Sequence, residues 1–376
     1  MSRPRLRIVV AGMVAANPYQ GGATWAILQF VLGLRRLGHE VLLIDPVRDD
    51  VIGPASIEYF RAVIEEFALQ GRAALLASGS CQTVGLSYPD LKKACAGADL
   101  LLNISGLLTD EELLGLIRIR AYVDLDPAFT QLWHAAEGID MHFGLHTHFV
   151  SVGLALGQAS CPVPTCGVSW IITLPPVVLA RWPASGVVEH GALTTIANWR
   201  GYGSIHHEGV HYGQKVHSLR GLITLPTRTD ESFEIALDIH SDEHRDIEAL
   251  RAHGWGLVDP REVAGTPDRY QHFIRGSGAE IGIAKHGYVV SRCGWFSDRS
   301  ACYLASGRPV IAQDTGFDEM LPTGEGLLRF TDEDEALAAI EAVGTDYVVH
   351  ARAARAIAEE HFDSDLVLGR LLGALV

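Results

Sequence analysis

The stretch 279–316, AEIGIAKHGYVVSRCGWFSDRSACYLASGRPVIAQDTG, decides how the rest of the chain is interpreted. Residues 279–285 form a short, isoleucine-rich apolar run, which predicts a buried strand. Helical periodicity at 299–305 predicts a helix that ends before Gly307, and 309–312 predicts the next buried strand. The loop between the first strand and the helix should therefore lie at the carboxyl edge of a parallel sheet.

A loop in this position is suited to an anion. Free N–H groups and the dipole at the start of the helix favour negative charge, most often a phosphate. Gly294 would allow close backbone approach, Ser297 could donate a hydroxyl, and Lys285 and Arg292 bring positive charge. The next strand ends in a small polar turn at the same edge, Asp314-Thr315-Gly316. For Ser297 alone a simple helix cap is the better interpretation, but the group together predicts a phosphate site.

The same residues carry a resemblance to a known family. Residues 291–328 resemble the donor-nucleotide segment of GT-B glycosyltransferases, especially natural-product or other small-molecule transferases of the family 1 and family 4 types. The pattern is Cys293-Gly294-Trp295-x-Ser297, followed by Ser306-Gly307-Arg308-Pro309-Val310. The resemblance implies that an acidic residue three places after the serine holds the donor ribose.

That acidic position is Ser300 in this chain, which departs from the family pattern. Asp298 and Glu319 are the two residues that could take over the ribose contact. Glu325, in the segment LPTGEGLLRF that resembles the closing element of the donor domain, is implied as a further contact to the sugar or ribose.

The composition of the chain limits the number of domains and the kinds of ligand that we expect. The chain has 376 residues, 48% of them hydrophobic, which is enough for two domains. Its net charge is 30 − 45 = −15 without a basic run, so we expect no binding of nucleic acid. The 17 histidines show no HExxH or finger spacing, so no metal is expected. No apolar run reaches the roughly 18–20 residues of a membrane span, and the N-terminus predicts a strand rather than a signal peptide, which favours the cytoplasm.

The beginning of the chain predicts a βαβ unit. A strand at 6–12 is followed by a helix at 23–37 and a strand at 40–44, the start of a doubly wound sheet. Gly21 and Gly22 precede the helix, but no GxGxxG follows the first strand, which argues against a dinucleotide fold. The resemblance to the first unit of GT-B proteins implies that these glycines let the loop pass close to the donor phosphates.

Candidate catalytic groups follow the later strands of this half. A strand at 121–123 ends in Asp124-Leu125-Asp126, and 141–145 is predicted as the last strand, followed by His146. Polar residues at strand ends face the cleft in this architecture, so Asp126 and His146 are candidates for the base that acts on an acceptor hydroxyl. The alternatives are a helix cap for Asp126 and a structural or substrate-lining role for His146.

A proline-rich segment at 161–182 predicts the crossover between domains, which should end near Gly186. A strand at 193–197 then restarts the pattern. Arg200 and Lys215 lie in the glycine- and histidine-rich region that follows, where GT-B proteins face the nucleotide diphosphate. Both are implied as phosphate partners, with ordinary surface charge as the alternative.

The predicted fold is α/β of the GT-B type, with two Rossmann-like doubly wound domains facing across a cleft. We place the first domain at 1–185, the donor domain at 186–350, and a C-terminal helix at 351–376 that returns to the first domain.

The leading functional prediction is a metal-independent glycosyltransferase that takes a nucleotide-diphosphate sugar as co-substrate, without a cofactor. The acceptor is predicted to be a small molecule of secondary metabolism, and a homodimer is left open. The alternatives are a nucleotide-sugar 2-epimerase of the same fold, a nicotinamide-dependent oxidoreductase, and a two-domain solute-binding protein.

Overall fold

The computed structural model describes residues 5–48, 52–184, 186, 188–189 and 191–376. Within these residues the chain alternates between strands and helices. The strands are β1 (Arg7–Ala11), β2 (Glu40–Arg48), β3 (Ala73–Ser78), β4 (Thr83–Gly85), β5 (Leu100–Ile104), β6 (Ile119–Asp124), β7 (His148–Ser151), β8 (Trp170–Ile172), β9 (Leu193–Asn198), β10 (Ile205–His207), β11 (Val210–Tyr212), β12 (Phe233–Asp238), β13 (Trp255–Val258), β14 (Ala279–Gly282), β15 (Val310–Gln313) and β16 (Leu327–Phe330).

Helices connect most of the parallel strands. They are α1 (Gly21–Arg36), α2 (Pro54–Glu66), α3 (Tyr88–Ala96), α4 (Glu111–Gly115), α5 (Phe129–Ala135), α6 (Lys215–Arg220), α7 (His244–Ala252), α8 (Pro260–Ala264), α9 (Pro267–Gly276), α10 (His286–Ser291), α11 (Asp298–Ala305), α12 (Glu333–Thr345), α13 (Tyr347–Ile357) and α14 (Ser364–Leu375). A π-helical turn at Ala358–Phe362 joins the last two helices.

Two sheets organise these elements. The strand order in the described part of the first sheet is β4-β3-β2-β1-β5-β6-β7-β8, and in the second it is β13-β12-β9-β14-β15-β16. All neighbouring pairs are parallel except β3 with β4. Both sheets are doubly wound, because the order reverses beside β1 in the first and beside β9 in the second. We call the residues of the first sheet and its helices the N-half, and those of the second the C-half.

Apolar side chains join the two halves directly. Trp182 is fully buried, and its ring centroid lies 5.1 Å from that of Trp25 on α1 and 6.2 Å from that of Tyr270 on α9. The Trp25 indole N–H also donates to the carbonyl of Pro267, at 2.8 Å. These contacts bring the start of α1 against the C-half.

The end of the chain returns to the N-half, as the sequence predicted. Helix α14 packs on α1, where a Cβ added to Gly33 would lie only 2.5 Å from the side chain of Leu368. The guanidinium of Arg36 pairs with Asp365 at 2.9 Å. The helix before it, α13, packs on α11 and β16 of the C-half, so the return to the N-half begins after this helix and not at residue 351.

Three local predictions need correction. Residues 141–145 are not a strand: His142 has a left-handed backbone, φ 57°, and starts a 3₁₀ turn at Phe143–Leu145, and the strand is β7. The proline-rich segment 161–182 contains β8, an edge strand of the first sheet, so it is not only a crossover. The predicted strand at 279–285 ends at Gly282, and a helix that we did not predict, α10, follows.

Among the helices of the described residues, none has both the length and the apolar character that crossing a membrane requires.

Candidate functional site

The predicted phosphate loop lies where the sequence placed it, at the carboxyl edge of β14 and β15 and at the start of α11. Ser297 caps this helix, because its hydroxyl accepts the backbone N–H of Arg299 at 3.2 Å. The Thr315 hydroxyl donates to the carbonyl of Trp295 at 2.5 Å, and the N–H of Gly294 donates to the carbonyl of Thr315 at 2.7 Å. The loops after the two strands are therefore tied together.

A cavity opens beneath this pair of loops. It is small, with room for about one water molecule, and is lined by Gly282, Ala284, Trp295, Phe296, Ser297, Arg299, Ser300, Ala312, Gln313 and Phe317. A second small cavity lies between α1 and α11, where Asp298 meets Trp25 and Gln29 of the N-half. Burial raises the pKa of Asp298, so this carboxyl is a weaker acid than usual.

Gly294 has a different role from the predicted one. Its backbone is left-handed, φ 76°, and a Cβ there would lie 2.6 Å from the backbone nitrogen of Ala155 and 2.9 Å from the side chain of Leu154. The amide of Ala155 donates to the carbonyl of Cys293 at 3.0 Å. The glycine therefore allows a backbone loop of the N-half to come close, and an approach to phosphate stays a prediction.

Gly21 and Gly22 show the same pattern from the other side. A Cβ on Gly21 would lie 2.3 Å from the carbonyl oxygen of Thr266, and one on Gly22 would lie 2.7 Å from the ring of Tyr270. Both glycines start α1 against the C-half. Their close approach is therefore to protein of the C-half, and their expected passage beside the donor phosphates stays a prediction.

The arginines of the predicted site already have anionic partners. Arg200 follows β9 and pairs with Glu243 at 2.5 Å, and its side chain is 44% exposed. Arg292 donates to Asp314 at 3.0 Å, and the N–H of Gly316 donates to the other carboxylate oxygen of Asp314 at 2.7 Å. These pairs lie at the expected edge of the sheet, but their charge is largely neutralised.

A third arginine, Arg299, was not predicted as part of the site. Its guanidinium pairs with Glu280 of β14 at 2.6 Å, with the Glu280 side chain completely buried, and it donates to the carbonyl of Ile196 at 2.8 Å. A carboxylate inside an apolar strand needs a cationic partner. Glu280 within the run AEIGIA was therefore a sequence signal that could have revealed this pair.

Lys215 differs from all of these cations. It is 8% exposed, at the start of α6, and in the described part of the chain its ammonium has no hydrogen-bond or ion-pair partner. Burial lowers its pKa well below the usual range, and the positive charge of Arg299 acts in the same direction. A buried cation without a partner is costly, which makes this position ready for an anion.

The charge pair that connects the two halves joins two predicted residues. Asp126, two residues beyond β6, accepts from Lys285 at 2.9 Å and from the hydroxyl of Tyr202 at 2.5 Å. The hydroxyl of Tyr288 donates to the other oxygen of Asp126. The ammonium of Lys285 also lies over aromatic rings, 4.3 Å from the centroid of Tyr202 and 5.1 Å from that of Phe129. Sequence reasoning missed both tyrosines, because nothing in their local spacing marks them.

Asp124 explains how Asp126 is positioned. Its buried carboxylate accepts from the hydroxyls of Thr130 and Ser151 at 2.8 and 2.7 Å, from the Gln131 amide at 2.9 Å, and from the N–H of Asp126 at 2.9 Å. Burial nevertheless raises its pKa. The hydrogen bonds to Asp124 therefore fix the turn after β6, and Asp126 projects from this turn toward the C-half.

Two predicted site residues lie elsewhere. His146 precedes β7 and so belongs to the amino end of that strand, where its ring nitrogens contact the side chain of Asn103 and the carbonyl of His142, both at 2.9 Å. Its expected place at a carboxyl end was wrong because 141–145 is not a strand. Glu325 is exposed and precedes β16, at the opposite end of the sheet from the cavity, so its predicted contact to the sugar or ribose is also wrong.

The two substitutes for the ribose contact differ in exposure. Asp298 faces the second cavity. Glu319 is exposed in the short 3₁₀ turn Phe317–Glu319, directly after Gly316 at the carboxyl edge.

Solved structures with the same architecture include glycosyltransferases in complex with UDP or UDP-glucose. An alpha-glucosyltransferase in complex with UDP-glucose and DNA containing an abasic site aligns with a TM-score of 0.65 and 12% identity over 99% of this chain and 100% of that one. HepE from Anabaena, in complex with UDP and glucose, aligns with a TM-score of 0.59 and 11% identity over 99% of this chain and 100% of that one. A glycosyltransferase from Rickettsia africae aligns with a TM-score of 0.57 and 12% identity over 99% of this chain and 98% of that one. Identities this low show the fold, and they confirm the predicted GT-B architecture over nearly the whole chain.

Comparison of the sequence with protein-family models and with curated proteins gives no match.

The structural comparison corrects the expectation about nucleic acid. Besides the complex with an abasic site, an alpha-glucosyltransferase bound to a 13-mer DNA aligns with a TM-score of 0.64 and 11% identity. The exclusion of nucleic acid is therefore contradicted. It relied on the net charge of the whole chain, whereas contact with a phosphate backbone depends on the charge of one local surface.

Proposed function

We propose that the chain is a glycosyltransferase that moves a sugar from a nucleotide-diphosphate donor to an acceptor hydroxyl. The observation that carries the proposal is Lys215 at the carboxyl edge of the C-half sheet, a side chain only 8% exposed whose ammonium pairs with no anion in the described part of the chain. A diphosphate would supply the missing negative charge.

The charged groups around Lys215 support this location. Its ammonium experiences the charges of Arg299, Glu280 and Lys285, which are the groups at and beyond β14. Because Arg299 and Glu280 neutralise each other, the positive charges left in this group are Lys215 and Lys285, and Lys285 is paired with Asp126 of the N-half. Arg299 also lines the small cavity beneath Ser297, and the N-terminal end of α11 adds the positive end of its dipole.

These groups would stabilise the leaving diphosphate. In the transfer step the bond from the anomeric carbon to the diphosphate oxygen breaks, and a bond to the acceptor oxygen forms. The negative charge that develops on the diphosphate would be met by Lys215, Lys285 and the amides at the start of α11, held in place before the reaction. In this proposal the lysines supply the positive charge, and no metal or cofactor takes part.

Asp126 is the proposed base. It lies on the N-half side of the cleft, directly opposite Lys285, and its side chain is 24% exposed, so an acceptor can reach it. Its carboxylate would accept the proton of the acceptor hydroxyl while the new glycosidic bond forms. The N-half would therefore orient the acceptor, and the C-half would hold the donor.

We further propose a small-molecule acceptor that contains a planar ring. Trp133 and Tyr202 are partly buried beside Asp126, and their ring centroids are 4.6 Å apart. Such rings offer an apolar face next to the proposed base. The proposed ribose contact is Glu319, which is exposed at the edge where the donor would lie.

The first experiment measures nucleotide binding. Thermal unfolding would be followed with UDP, TDP, GDP and ADP, because a ligand that binds only the folded state raises its stability by about 2.7 kcal/mol at a hundredfold excess over Kd. We expect at least one nucleoside diphosphate to raise Tm, and the Lys215→Met variant to lose most of that increase.

The second experiment identifies the product. The corresponding nucleotide-glucose would be incubated with phenolic and sugar alcohols, and in a separate arm with hydroxymethylated DNA. A glycosylated acceptor together with free nucleoside diphosphate is the expected result. No nucleotide-dependent increase in Tm would reject the proposal, and conversion of the donor without any acceptor would indicate an epimerase instead.

A further inference from the structure

The carboxylate of Asp126 is held entirely by donors of the opposite half of the molecule. Tyr288 donates to one oxygen, and Tyr202 and Lys285 donate to the other, at 2.5 and 2.9 Å. Asp126 belongs to the N-half, whereas its three partners lie on or beside α10 and in the loop after β9 of the C-half. Lys285 also donates to the hydroxyl of Tyr288 at 3.2 Å, which keeps the three donors together.

The three donors are arranged to hold negative charge. Burial raises the pKa of Tyr202 and of Tyr288 well above its usual value, and the charge of Asp126 acts in the same direction, so both phenols keep their protons and donate them. Lys285 supplies the positive charge and lies 5.1 Å from the centroid of the Tyr288 ring. Two neutral donors and one cation around two oxygen atoms form a site for an oxyanion.

The pair of Lys285 and Asp126 differs from the pair of Arg299 and Glu280 in a way that would let Lys285 exchange its anionic partner. Both members of that pair belong to the C-half, with side-chain exposures of 11% and 0%, so a separation of the halves would leave it intact. Lys285 and Asp126 belong to different halves and have exposures of 22% and 24%. Separation of the halves would therefore leave the three donors of the C-half without Asp126 and open to a ligand.

We propose that Lys285, Tyr202 and Tyr288 form an anion site that takes a phosphate of the donor, and that Asp126 occupies this site only while the donor is absent. This inference rests on the proposed function and adds to it the order in which the two substrates bind. Because a phosphate offers more oxygen atoms and more charge than a carboxylate, it displaces Asp126. The proposed base becomes free for the acceptor only after the donor has bound.

The test compares UDP binding by calorimetry to the wild-type protein and to variants of the site. The Asp126→Asn variant removes the competing charge, and we expect Kd for UDP to fall by about tenfold, because the open site no longer has to be freed first. The double variant Tyr202→Phe, Tyr288→Phe removes two donors without changing the charge, and we expect Kd to rise by about tenfold. Inorganic pyrophosphate, used as a second probe, should show the same order of affinities.

A control separates this effect from a general change in charge. Asp140 is an exposed carboxylate of the N-half with 74% side-chain exposure, and Asp140→Asn should leave Kd for UDP unchanged. If Asp126→Asn binds UDP no more tightly than the wild type, or if Asp140→Asn tightens binding equally, the displacement is disproved while the proposed function stands. If the wild type binds no nucleotide, it is the proposed function that fails.

A measurement on the unchanged protein covers the case in which a variant does not fold. Acceptor binding would be followed by tryptophan fluorescence, since Trp133 lies beside Tyr202. We expect acceptor affinity to be at least about tenfold higher in the presence of UDP. Equal acceptor affinity with and without UDP would overturn the proposed order.

Discussion

The two carboxyl edges that face each other differ in how their charges are satisfied. The edge of the N-half carries the carboxylates Asp45, Asp124 and Asp126. The first two are fully buried and accept only from neutral donors of their own half, such as the N–H of Ala15 at 2.7 Å from Asp45. The edge of the C-half carries cations, and one of these, Lys215, has no described anionic partner.

The difference shows where a ligand could supply a missing contact. Asp124 has four donors within 2.9 Å, so the N-half itself holds the turn that carries Asp126. Lys215 pays for its desolvation without a compensating contact. In the proposed function, the anionic donor would therefore gain most of its binding free energy from the C-half, and the N-half would contribute position.

Replacing Lys215 should give the largest effect on activity. In Lys215→Met an apolar chain of similar length replaces the ammonium, so the leaving diphosphate loses a buried positive charge. We expect kcat/KM for glycosyl transfer to fall by about 100- to 1,000-fold. The Tm measured without ligand should stay the same or rise, because an unpaired buried charge is removed.

The matched control for this prediction is Arg200→Met. Arg200 is a cation at the same edge, but it is paired with Glu243 and 44% exposed, so its loss should change kcat/KM by less than about fivefold. Equal losses in both variants would show that distance to the diphosphate, and not the absence of a partner, decides the effect.

The sequence predicted the architecture and the edge, because the carboxyl ends of parallel strands always meet on one side of a sheet. Lys285 and Ser297 follow one strand, and Thr315 follows the next, so their common location was determined by chain order alone. Asp126 was predicted in the same way on the opposite edge. That it pairs with Lys285 could not be predicted, because the spacing of the strands within each half does not determine how the two halves dock.

The two misplaced residues were assigned for different reasons. His146 was assigned from the presumed strand at 141–145, and Glu325 from the resemblance of its segment to the closing element of the donor domain, and each lies at the amino end of the strand that follows it. A short apolar run does not distinguish a strand from a turn. Tyr202 and Tyr288 were missed for a different reason: tyrosines buried at a contact between halves look like ordinary core residues in the sequence.

Gly294 tests whether the two edges must approach as closely as they do. In Gly294→Ala the new Cβ would lie 2.6 Å from the backbone nitrogen of Ala155, and the left-handed backbone, φ 76°, would be strained as well. We expect the free energy of unfolding to fall by about 2–4 kcal/mol in denaturant titrations, with a loss of activity, because the halves must shift apart.

Gly167 provides the control for backbone strain alone. Its φ is 73°, almost the same as that of Gly294, and a Cβ there would meet no atom within 4 Å. Gly167→Ala should cost only about 1–2 kcal/mol and leave activity intact. Equal costs at the two positions would mean that the contact between Gly294 and the N-half loop contributes little to stability.

The smallest expected effect concerns the N-half edge and depends on pH. Burial raises the pKa of Asp45 to about 7 from an ordinary value of 3.8, and one of its oxygens has no partner among the described residues. Between these two pH values the folded state holds a proton that the unfolded state has released. The contribution of Asp45 to stability therefore decreases as the pH rises from about 4 to 7 and is absent above 7.

The asparagine of the Asp45→Asn variant cannot ionise, so the variant should not show that decrease in stability. Urea titrations should show similar stability of the two proteins at pH 5 and an advantage for the variant on the order of 2 kcal/mol at pH 8. A pH-independent difference between them would mean that Asp45 stays ionised in the fold, and that the N-half edge tolerates a buried charge as readily as the C-half edge does at Lys215.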